Sequence, residues 1–144
     1  MQIAAVFISF LLGILATVFV QPWLSRIQND ISSIADLMFD INKLEDLAIE
    51  YWSQSGGTAE ARKLESQIHG GFAATTHFDY QRICGSRTDQ FRNLDLEIHD
   101  EITGGNFEGA DRAPEYARII SILHKTHEMK FLLREIKRSQ YWFK

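Results

Sequence analysis

The chain contains very little cysteine and proline, and both shortages constrain the fold. Cys84 is the only cysteine, so no intramolecular disulfide can form and the fold must be stabilised by packing. Two prolines in 144 residues leave long stretches in which helices can form without interruption. A large excess of positive charge is also lacking, since the net charge is -4. This composition disfavours nonspecific nucleic-acid binding, which requires clustered Lys and Arg.

The chain is nevertheless apolar enough to fold. It is 45% hydrophobic and 24% charged, which is typical of a globular protein rather than of a disordered one. The distribution of apolar residues is uneven, because the longest uncharged run lies near the N-terminus. We therefore expect a transmembrane anchor over residues 1–22, followed by one helical bundle domain over residues 23–144.

Residues 3–20 contain no ionisable side chain. As a helix they would extend about 27 Å, close to the thickness of a bilayer core. Pro22 and Trp23 follow the run, and an indole suits the membrane interface. No Lys or Arg precedes the run and no small-x-small cleavage site follows it, which favours a retained anchor over a cleaved signal peptide.

The orientation of this anchor is predicted from the distribution of charge around it. Arg26 is the first basic side chain after the run, and nearly all charge lies beyond it. An uncharged N-terminal tail crosses a membrane readily, so we expect the C-terminal domain on the cytosolic side. The unpaired Cys84 agrees with a reducing compartment.

Small and polar residues recur at every fourth position of the anchor and would form one stripe on a helix. The stripe comprises Ala5, Ser9, Gly13, Thr17 and Gln21. Lipid tails give membrane helices no hydrophobic reason to associate, so helix contacts usually form over small residues and hydroxyl groups. The stripe predicts homo-oligomerisation through Ala5, Ser9, Gly13 and Thr17. A chance alignment and a polar pore lining are the alternatives.

Four helices are predicted after the anchor from the spacing of apolar residues. The first begins after Pro22, the second at Thr58, the third at Ser86 and the fourth near Pro114. The fourth helix continues to about Gln140. Their expected buried residues are Ile27, Ile31, Ile34, Met38, Ile41, Leu44, Ala48 and Tyr51 in the first helix, Leu64, Ile68 and Phe72 in the second, Phe91, Leu94, Ile98 and Ile102 in the third, and Ile119, Ile120, Leu123, Phe131, Leu132 and Ile136 in the fourth.

The predicted fold is all-α, with one N-terminal transmembrane helix followed by an antiparallel bundle of about four helices. No run of alternating apolar and polar residues with hairpin turns indicates a sheet. Gly70 and Gly71 are adjacent within the second helix and cost about 2 kcal/mol relative to alanine. We expect a kink, a close helix crossing or a break at this pair.

Two aromatic residues are candidate partner-binding residues. Phe107 lies in a glycine-rich loop over residues 103–114, and Trp142 lies in the aromatic cluster at the C-terminus. Loops and exposed aromatic side chains commonly contact partners, which favours this interpretation. Packing of both side chains within the chain is one alternative, and contact of the C-terminal aromatic cluster with lipid headgroups is another.

Arg118 and His124 are the candidate catalytic residues, both in the fourth predicted helix. An imidazole can exchange protons near neutral pH and a guanidinium can hold a phosphate, so the two together could cleave RNA. Comparable spacings join Arg62 to His69, and Arg92 to His99. The pattern is therefore not distinctive, and a packed or solvated helix face is the alternative.

Other chemistry is not indicated by the residue pattern. His124, His127 and Glu128 lie close together in the sequence, but they supply too few ligands for a typical metal site, and no H-E-x-x-H or paired E-x-x-H motif is present. No dinucleotide or phosphate-binding fingerprint and no G-x-S-x-G occurs. We expect no metal and no cofactor, and we interpret Cys84 as a small core residue.

The spacing of Arg118 and His124 resembles the arginine, four-to-six residues, histidine pattern of HEPN ribonucleases. In that family the pair lies at a dimer cleft, although here Ile119 follows the arginine where the family usually has a polar residue. The plan of the whole chain resembles small bacterial single-span membrane proteins with a helical cytosolic domain. Some of these act in antiphage defence or as accessories of type VI CRISPR systems. The resemblance implies a location in the bacterial inner (cytoplasmic) membrane.

The leading hypothesis is a self-associating membrane protein that acts as a non-enzymatic effector or accessory. Its expected partners are the lipid bilayer, further copies of the chain and a protein partner bound by the helical bundle. One alternative is a membrane-tethered HEPN-like ribonuclease that uses Arg118 and His124. The other is a simple adaptor that holds a protein partner near the membrane.

Overall fold

The computed structural model of the chain describes Phe10 and residues 13–140. Helices in this part are α1 (Gln21–Trp52), α2 (Ala59–Thr75), α3 (Tyr80–Cys84), α4 (Thr88–Thr103) and α5 (Tyr116–Gln140). A π-helical turn, Ala16–Val20, precedes α1, and a 3-10 turn, Gly85–Arg87, connects α3 to α4. The described residues form no strand, so the predictions of an all-α fold and of about four principal helices are confirmed there.

Helix α1 contributes more buried apolar residues to the core than any other described helix. Apolar residues three and four positions apart face inward, and the buried ones are Ile34, Leu37, Ile41, Leu44, Ala48, Tyr51 and Trp52. The backbone is helical without a break over residues 13–52, which crosses the boundary predicted between anchor and bundle. The helix ends at Ser53, whose backbone N–H and hydroxyl both donate to the carbonyl oxygen of Ile49.

Helix α2 starts where the sequence predicts. The Thr58 hydroxyl accepts a hydrogen bond from the Ala61 N–H at 3.0 Å, which satisfies one of the free donors at the helix start. The helix then continues through the two adjacent glycines without a break. A Cβ atom at Gly71 would lie 3.0 Å from Leu44 Cδ1, so this glycine lets α2 approach α1 closely. Of the three expectations for the glycine pair, the close crossing is correct.

The start of α4 differs from the sequence prediction. Asp79 accepts a hydrogen bond from the Arg82 N–H and begins the short helix α3, which buries Ile83 and Cys84. Gly85 then turns the chain with a φ of 54°, and α4 begins only at Thr88 without a side-chain cap. The prediction of a start at Ser86 is therefore wrong, because an unpredicted helical turn is inserted before α4.

The buried face of α5 also differs from the prediction. Ile120 and Phe131, expected in the core, are 69% and 63% exposed. The residues that are buried instead include a threonine and a lysine, in the set Ile119, Ile122, Thr126, Met129, Lys130, Leu132, Leu133 and Ile136. Helix α5 contacts both α1 and α4, so its buried face is set by two neighbours rather than by hydropathy alone.

Polar contacts define the directions of the helices. At the start of α5 the Glu115 N–H donates to the carbonyl oxygen of Trp52, the last residue of α1. Near the other end of α5, Arg87 pairs with Glu135 at 3.8 Å. Helix α5 is therefore antiparallel to both α1 and α4, while α1 and α2 form an antiparallel hairpin. The contacts confirm an antiparallel bundle.

In the described part of the chain, no helix combines the length and the apolar character needed to cross a bilayer. Half of the predicted span over residues 3–20, namely residues 3–9, 11 and 12, lies outside the described residues, and this half includes Ala5 and Ser9.

A buried ion pair connects α1 to α5. Lys130 Nζ lies 2.9 Å from Glu45 Oε2, and these side chains are 8% and 12% exposed. The Thr126 hydroxyl also donates to Glu45, and Lys130 donates to Asn42 at 3.1 Å. Each buried charge therefore has partners, which offsets part of the cost of removing it from water.

Replacing Lys130 with methionine should lower the free energy of unfolding by about 3–5 kcal/mol, because Glu45 would be left buried without its cation. The double variant Glu45→Leu, Lys130→Met should recover most of this loss. Urea denaturation followed by circular dichroism measures both effects. Lys63→Met is the control, since the Lys63–Glu60 pair is exposed and its loss should change stability by less than about 0.5 kcal/mol. Equal effects of Lys130→Met and Lys63→Met would contradict this prediction.

Candidate functional site

An extended apolar surface lies at the N-terminal end of the continuous helix that includes α1. Its residues are Phe10, Ile14, Leu15, Val18, Phe19, Val20, Trp23 and Leu24, each at least 40% exposed. We call this set the N-terminal apolar surface. Single exposed apolar residues are common on soluble proteins, but a contiguous set of this kind usually marks a contact with a membrane or a partner.

The N-terminal apolar surface continues onto the bundle as a groove of about 530 Å³. The groove follows α1 from Trp23 to Ala35 and reaches Gln140 at the end of α5. Ile27 and Ile31, expected in the core, line this groove and are half-buried. The first three turns of α1 are therefore apolar on a side that the bundle covers only in part.

Three members of the stripe, Gly13, Thr17 and Gln21, are described and all are exposed. The Thr17 hydroxyl donates to the Gly13 carbonyl oxygen at 2.8 Å, so its donor is used within its own helix. A Cβ atom added at Gly13 would meet nothing within 4 Å. A larger side chain at Gly13 is thus compatible with the fold of one chain.

Arg118 is held by the bundle itself. Its guanidinium donates to the Glu115 carboxylate at 3.0 Å and to the Glu101 carbonyl oxygen at 2.9 Å. The guanidinium carbon also lies 4.5 Å from the centroid of the Trp52 ring, within the range of a cation–π interaction. These contacts join the start of α5 to the ends of α1 and α4.

His124 lies in a different environment on the same helix. It lines an open groove of about 920 Å³ between α4 and α5, and its side chain is 70% exposed. Its Nδ1 is 3.6 Å from Glu128, whereas Arg118 contacts the opposite end of α4. No contact joins Arg118 to His124 in the described chain.

The α4–α5 groove also contains the residues considered for metal binding. Lys125 occupies it, pairing with Glu97 at 2.6 Å and with Glu128 at 3.6 Å. The hydrogen bond from Lys125 to Glu97 raises the pKa of the lysine, which keeps a positive charge among these side chains. His127 Nδ1 lies 2.9 Å from the Leu123 carbonyl oxygen. Among the described residues, no group of three or more His, Cys, Asp or Glu side chains could hold a metal ion.

Phe107 packs half-buried against the end of α1. Its ring centroid lies 4.9 Å from that of Tyr51 and 5.6 Å from that of His69. The next residue, Glu108, donates its N–H to the Tyr51 hydroxyl at 2.8 Å. The structure thus uses Phe107 to hold the 104–115 loop on the bundle. Trp142, the second candidate partner-binding residue, lies outside the described residues.

Arg112 is buried although it lies in the glycine-rich loop predicted over residues 103–114. It is 2% exposed, its guanidinium carbon lies 3.8 Å from the Tyr51 ring centroid, and it donates to the Gln54 carbonyl oxygen. Its Nε and Nη2 atoms have no hydrogen-bond partner. The faces of Tyr51 and Trp52 therefore provide the main compensation for its charge. Sequence periodicity carries no signal for this role, because Arg112 lies outside any helix.

Cys84 is buried, in agreement with its interpretation as a core residue. Burial raises the pKa of its thiol to about 11. The thiol stays protonated at neutral pH, and a protonated thiol is a poor nucleophile.

Comparison of the chain with protein-family models, curated proteins and solved structures finds no match. The molecule is defined by its structure as an antiparallel helical bundle whose first helix carries an exposed apolar surface.

Replacing Arg118 with alanine should lower the free energy of unfolding by about 1–3 kcal/mol, because two hydrogen bonds and the contact with Trp52 are lost. His124→Ala is the matched control on the same helix and should change stability by less than about 0.5 kcal/mol, since His124 is exposed. Urea denaturation of the two variants measures the difference. Equal stabilities would contradict a structural role for Arg118.

Proposed function

We propose that the protein is a membrane-bound, self-associating helical protein that acts as a non-enzymatic effector or accessory. In this proposal residues 3–20 cross the bilayer, and α1 connects that span to the bundle. The observation that carries the proposal is the N-terminal apolar surface, which lies on the same unbroken helix as the core residues of α1.

The energetic argument concerns the apolar side chains at the start of this helix. Each fully buried Leu, Val or Phe side chain gains about 1.5–3 kcal/mol relative to its exposed state. Phe10, Leu15, Val18 and Phe19 are between 50% and 65% exposed, so most of this gain is unrealised within one chain. The interior of a bilayer is apolar, so a helix that crosses it can carry apolar side chains on all sides.

The residues that follow support an interfacial boundary at the start of α1. Trp23 is 40% exposed, and indole rings are enriched at the depth where a membrane meets water. Arg26 is the first charged side chain beyond Trp23, and Asp30, about two turns beyond Trp23, is the first acidic one and pairs with Arg82 of α3. The apolar groove from Trp23 to Ala35 lies between the proposed membrane span and the bundle core.

A continuous helix connects the proposed membrane span to the bundle. The described backbone is helical over residues 13–52, and its one departure from α-helical geometry is the π-helical turn Ala16–Val20. π-helical turns often occur at functional positions in helices. A change in how copies of the span pack would thus be transmitted to the bundle through α1, and binding to the bundle would be transmitted in the opposite direction.

A double substitution tests membrane insertion. Leu15→Asp with Val18→Asp places two carboxylates in the span, each costing about 2.5–3.5 kcal/mol near the bilayer centre. We expect the wild-type chain in the carbonate-resistant membrane fraction and the double variant largely outside it. Phe39→Asp is the control, because Phe39 is 69% exposed on the bundle part of α1 and should leave the distribution unchanged. A wild-type chain extracted by carbonate would overturn the proposal, with a protein partner then the better occupant of the surface.

A substitution at Gly13 tests self-association separately from insertion. Gly13→Leu fits one chain, because the added Cβ meets nothing within 4 Å, but it would block close approach of a second helix. We expect it to weaken the oligomer by roughly tenfold in detergent, as measured by light scattering against concentration. Val18→Leu adds bulk on a different face of the helix, five residues from Gly13, and should leave assembly intact. A monomeric wild-type chain, or equal assembly of both variants, would remove self-association from the proposal.

A further inference from the structure

The end of the bundle that adjoins the N-terminal apolar surface is assembled from several helices. Helix α5 is antiparallel to α1, so its C-terminal end lies beside the first turns of α1, and Gln140 lines the same groove as Trp23. The Gln140 side-chain amide donates to the Ile83 carbonyl oxygen at 3.2 Å, which brings α3 to the same end. We define the basal end of the bundle as residues 25–30, 79–89 and 134–140.

The basal end has an excess of basic side chains within an acidic chain. It holds six basic and four acidic side chains, whereas the whole chain has 15 basic and 19 acidic ones. The basic residues of the basal end are Arg26, Arg82, Arg87, Arg134, Lys137 and Arg138. Positive charge is therefore concentrated at the end of the bundle that faces the proposed membrane span.

Most carboxylates of the basal end are already paired within the fold. Arg82 pairs with both Asp30 and Asp79, the latter at 3.0 Å. Glu135 lies 3.2 Å from Arg138 on the same helix. These pairs use two of the arginines and leave other basic side chains of the basal end without a carboxylate.

Three of the basic residues, Arg26, Arg134 and Lys137, make no ion pair with another described residue. Arg26 and Arg134 are exposed and Lys137 is half-buried. Arg134 and Lys137 are three positions apart and thus share one face of α5. The remaining carboxylate, Asp89, lies in the first turn of α4, where the helix dipole favours an acidic side chain. The basal end thus has three cations available for an external anion.

These cations lie close to the expected level of the bilayer surface. Arg26 follows Trp23 by about 4.5 Å along the helix axis, and Lys137 precedes Gln140, at the groove of Trp23, by about the same distance. Both separations are smaller than the Debye length of about 8 Å at physiological ionic strength. Asp36, by contrast, lies about 20 Å beyond Trp23 along α1. A charged lipid surface would therefore act mainly on the basic residues.

We propose that the basal end binds the headgroups of anionic phospholipids, with Arg26, Arg134 and Lys137 as the cations that contact the lipid phosphates. The inference rests on the proposed membrane attachment, because the span holds the basal end against the bilayer and keeps the acidic remainder of the bundle away from it. Each basic side chain near an anionic lipid surface raises affinity by about fivefold. The expected result is a preference for anionic over zwitterionic headgroups.

The rival explanation is that only the net charge of the chain decides its lipid preference. A net charge of -4 would be repelled by an anionic surface, so the chain would then prefer a zwitterionic lipid. The two explanations predict opposite preferences, and a comparison of two lipid headgroups distinguishes them.

The test uses quenching of Trp23 fluorescence by dibrominated lipids in bilayers that contain the full chain. Trp52 is fully buried and gives a constant background, and Trp142→Phe in every sample removes the third indole. Quenching by dibrominated phosphatidylcholine measures contact with the bilayer, and mixtures with dibrominated phosphatidylglycerol give the ratio of the two lipid affinities. We expect phosphatidylglycerol to bind about fivefold more tightly or better at low salt, and less than about twofold more tightly in about 1 M salt.

A triple substitution assigns the preference to the basal end. Arg26→Gln, Arg134→Gln and Lys137→Gln together should reduce the preference for phosphatidylglycerol to less than about twofold, because the available cations are lost. The charge-conserving set Arg26→Lys, Arg134→Lys and Lys137→Arg should retain the preference. Retention in this second set excludes a loss of packing as the cause.

The matched control removes the same charge from other exposed positions, with Lys43→Gln, Arg62→Gln and Lys63→Gln. Lys43 lies about 30 Å beyond Trp23 along α1, and the other two lie in α2 at the opposite end of the bundle. This control should retain the preference of the wild-type chain.

Four outcomes overturn the inference. Equal affinity for the two lipids, a preference that persists in about 1 M salt, or equal loss in both glutamine sets would do so while membrane attachment stands. An absence of quenching by dibrominated phosphatidylcholine would overturn membrane attachment, and this inference with it.

Discussion

Burial of Tyr51 and Trp52 at the end of α1 is the interaction on which the rest of the bundle depends. Both side chains are fully buried, and the Trp52 indole donates to the Ile102 carbonyl oxygen at 3.0 Å, which ties α1 to the end of α4. The Trp52 carbonyl oxygen accepts the Glu115 N–H, which sets the start of α5. Arg112 and Arg118 pack on the aromatic faces. A large buried aromatic pair with its polar groups satisfied thus fixes three chain segments at once.

The opposite end of α1 is organised by a different balance of interactions. There the bundle covers the helix only in part, and the side chains of the N-terminal apolar surface remain exposed. Because the same helix is rigidly held at Trp52, its apolar end has a defined direction relative to the core. The proposed membrane attachment therefore concerns one end of one long helix, while a cavity of about 240 Å³ lies farther along it, beside Leu37, Ile41 and Leu44.

The sequence predicted the helices well and the contacts of individual polar residues poorly. Thr58 was recognised as a helix start because capping is a local effect between residues three apart. Arg118 was a candidate catalytic residue from its spacing to His124, with packing on the helix face as the alternative, and only the structure shows its contacts with Trp52, Glu115 and Glu101.

Local physical chemistry in the sequence was sufficient to determine an all-helical chain, the principal helices and most of the core of α1 and α2. These features depend on apolar spacing, caps and glycines, which act within a few residues. The tertiary structure alone decided that α5 buries Thr126 and Lys130 while exposing Ile120 and Phe131. Their partner is Glu45, 81 residues from Thr126 and 85 from Lys130. A polar residue can be buried only where another helix brings a matching group, and no local pattern contains that information.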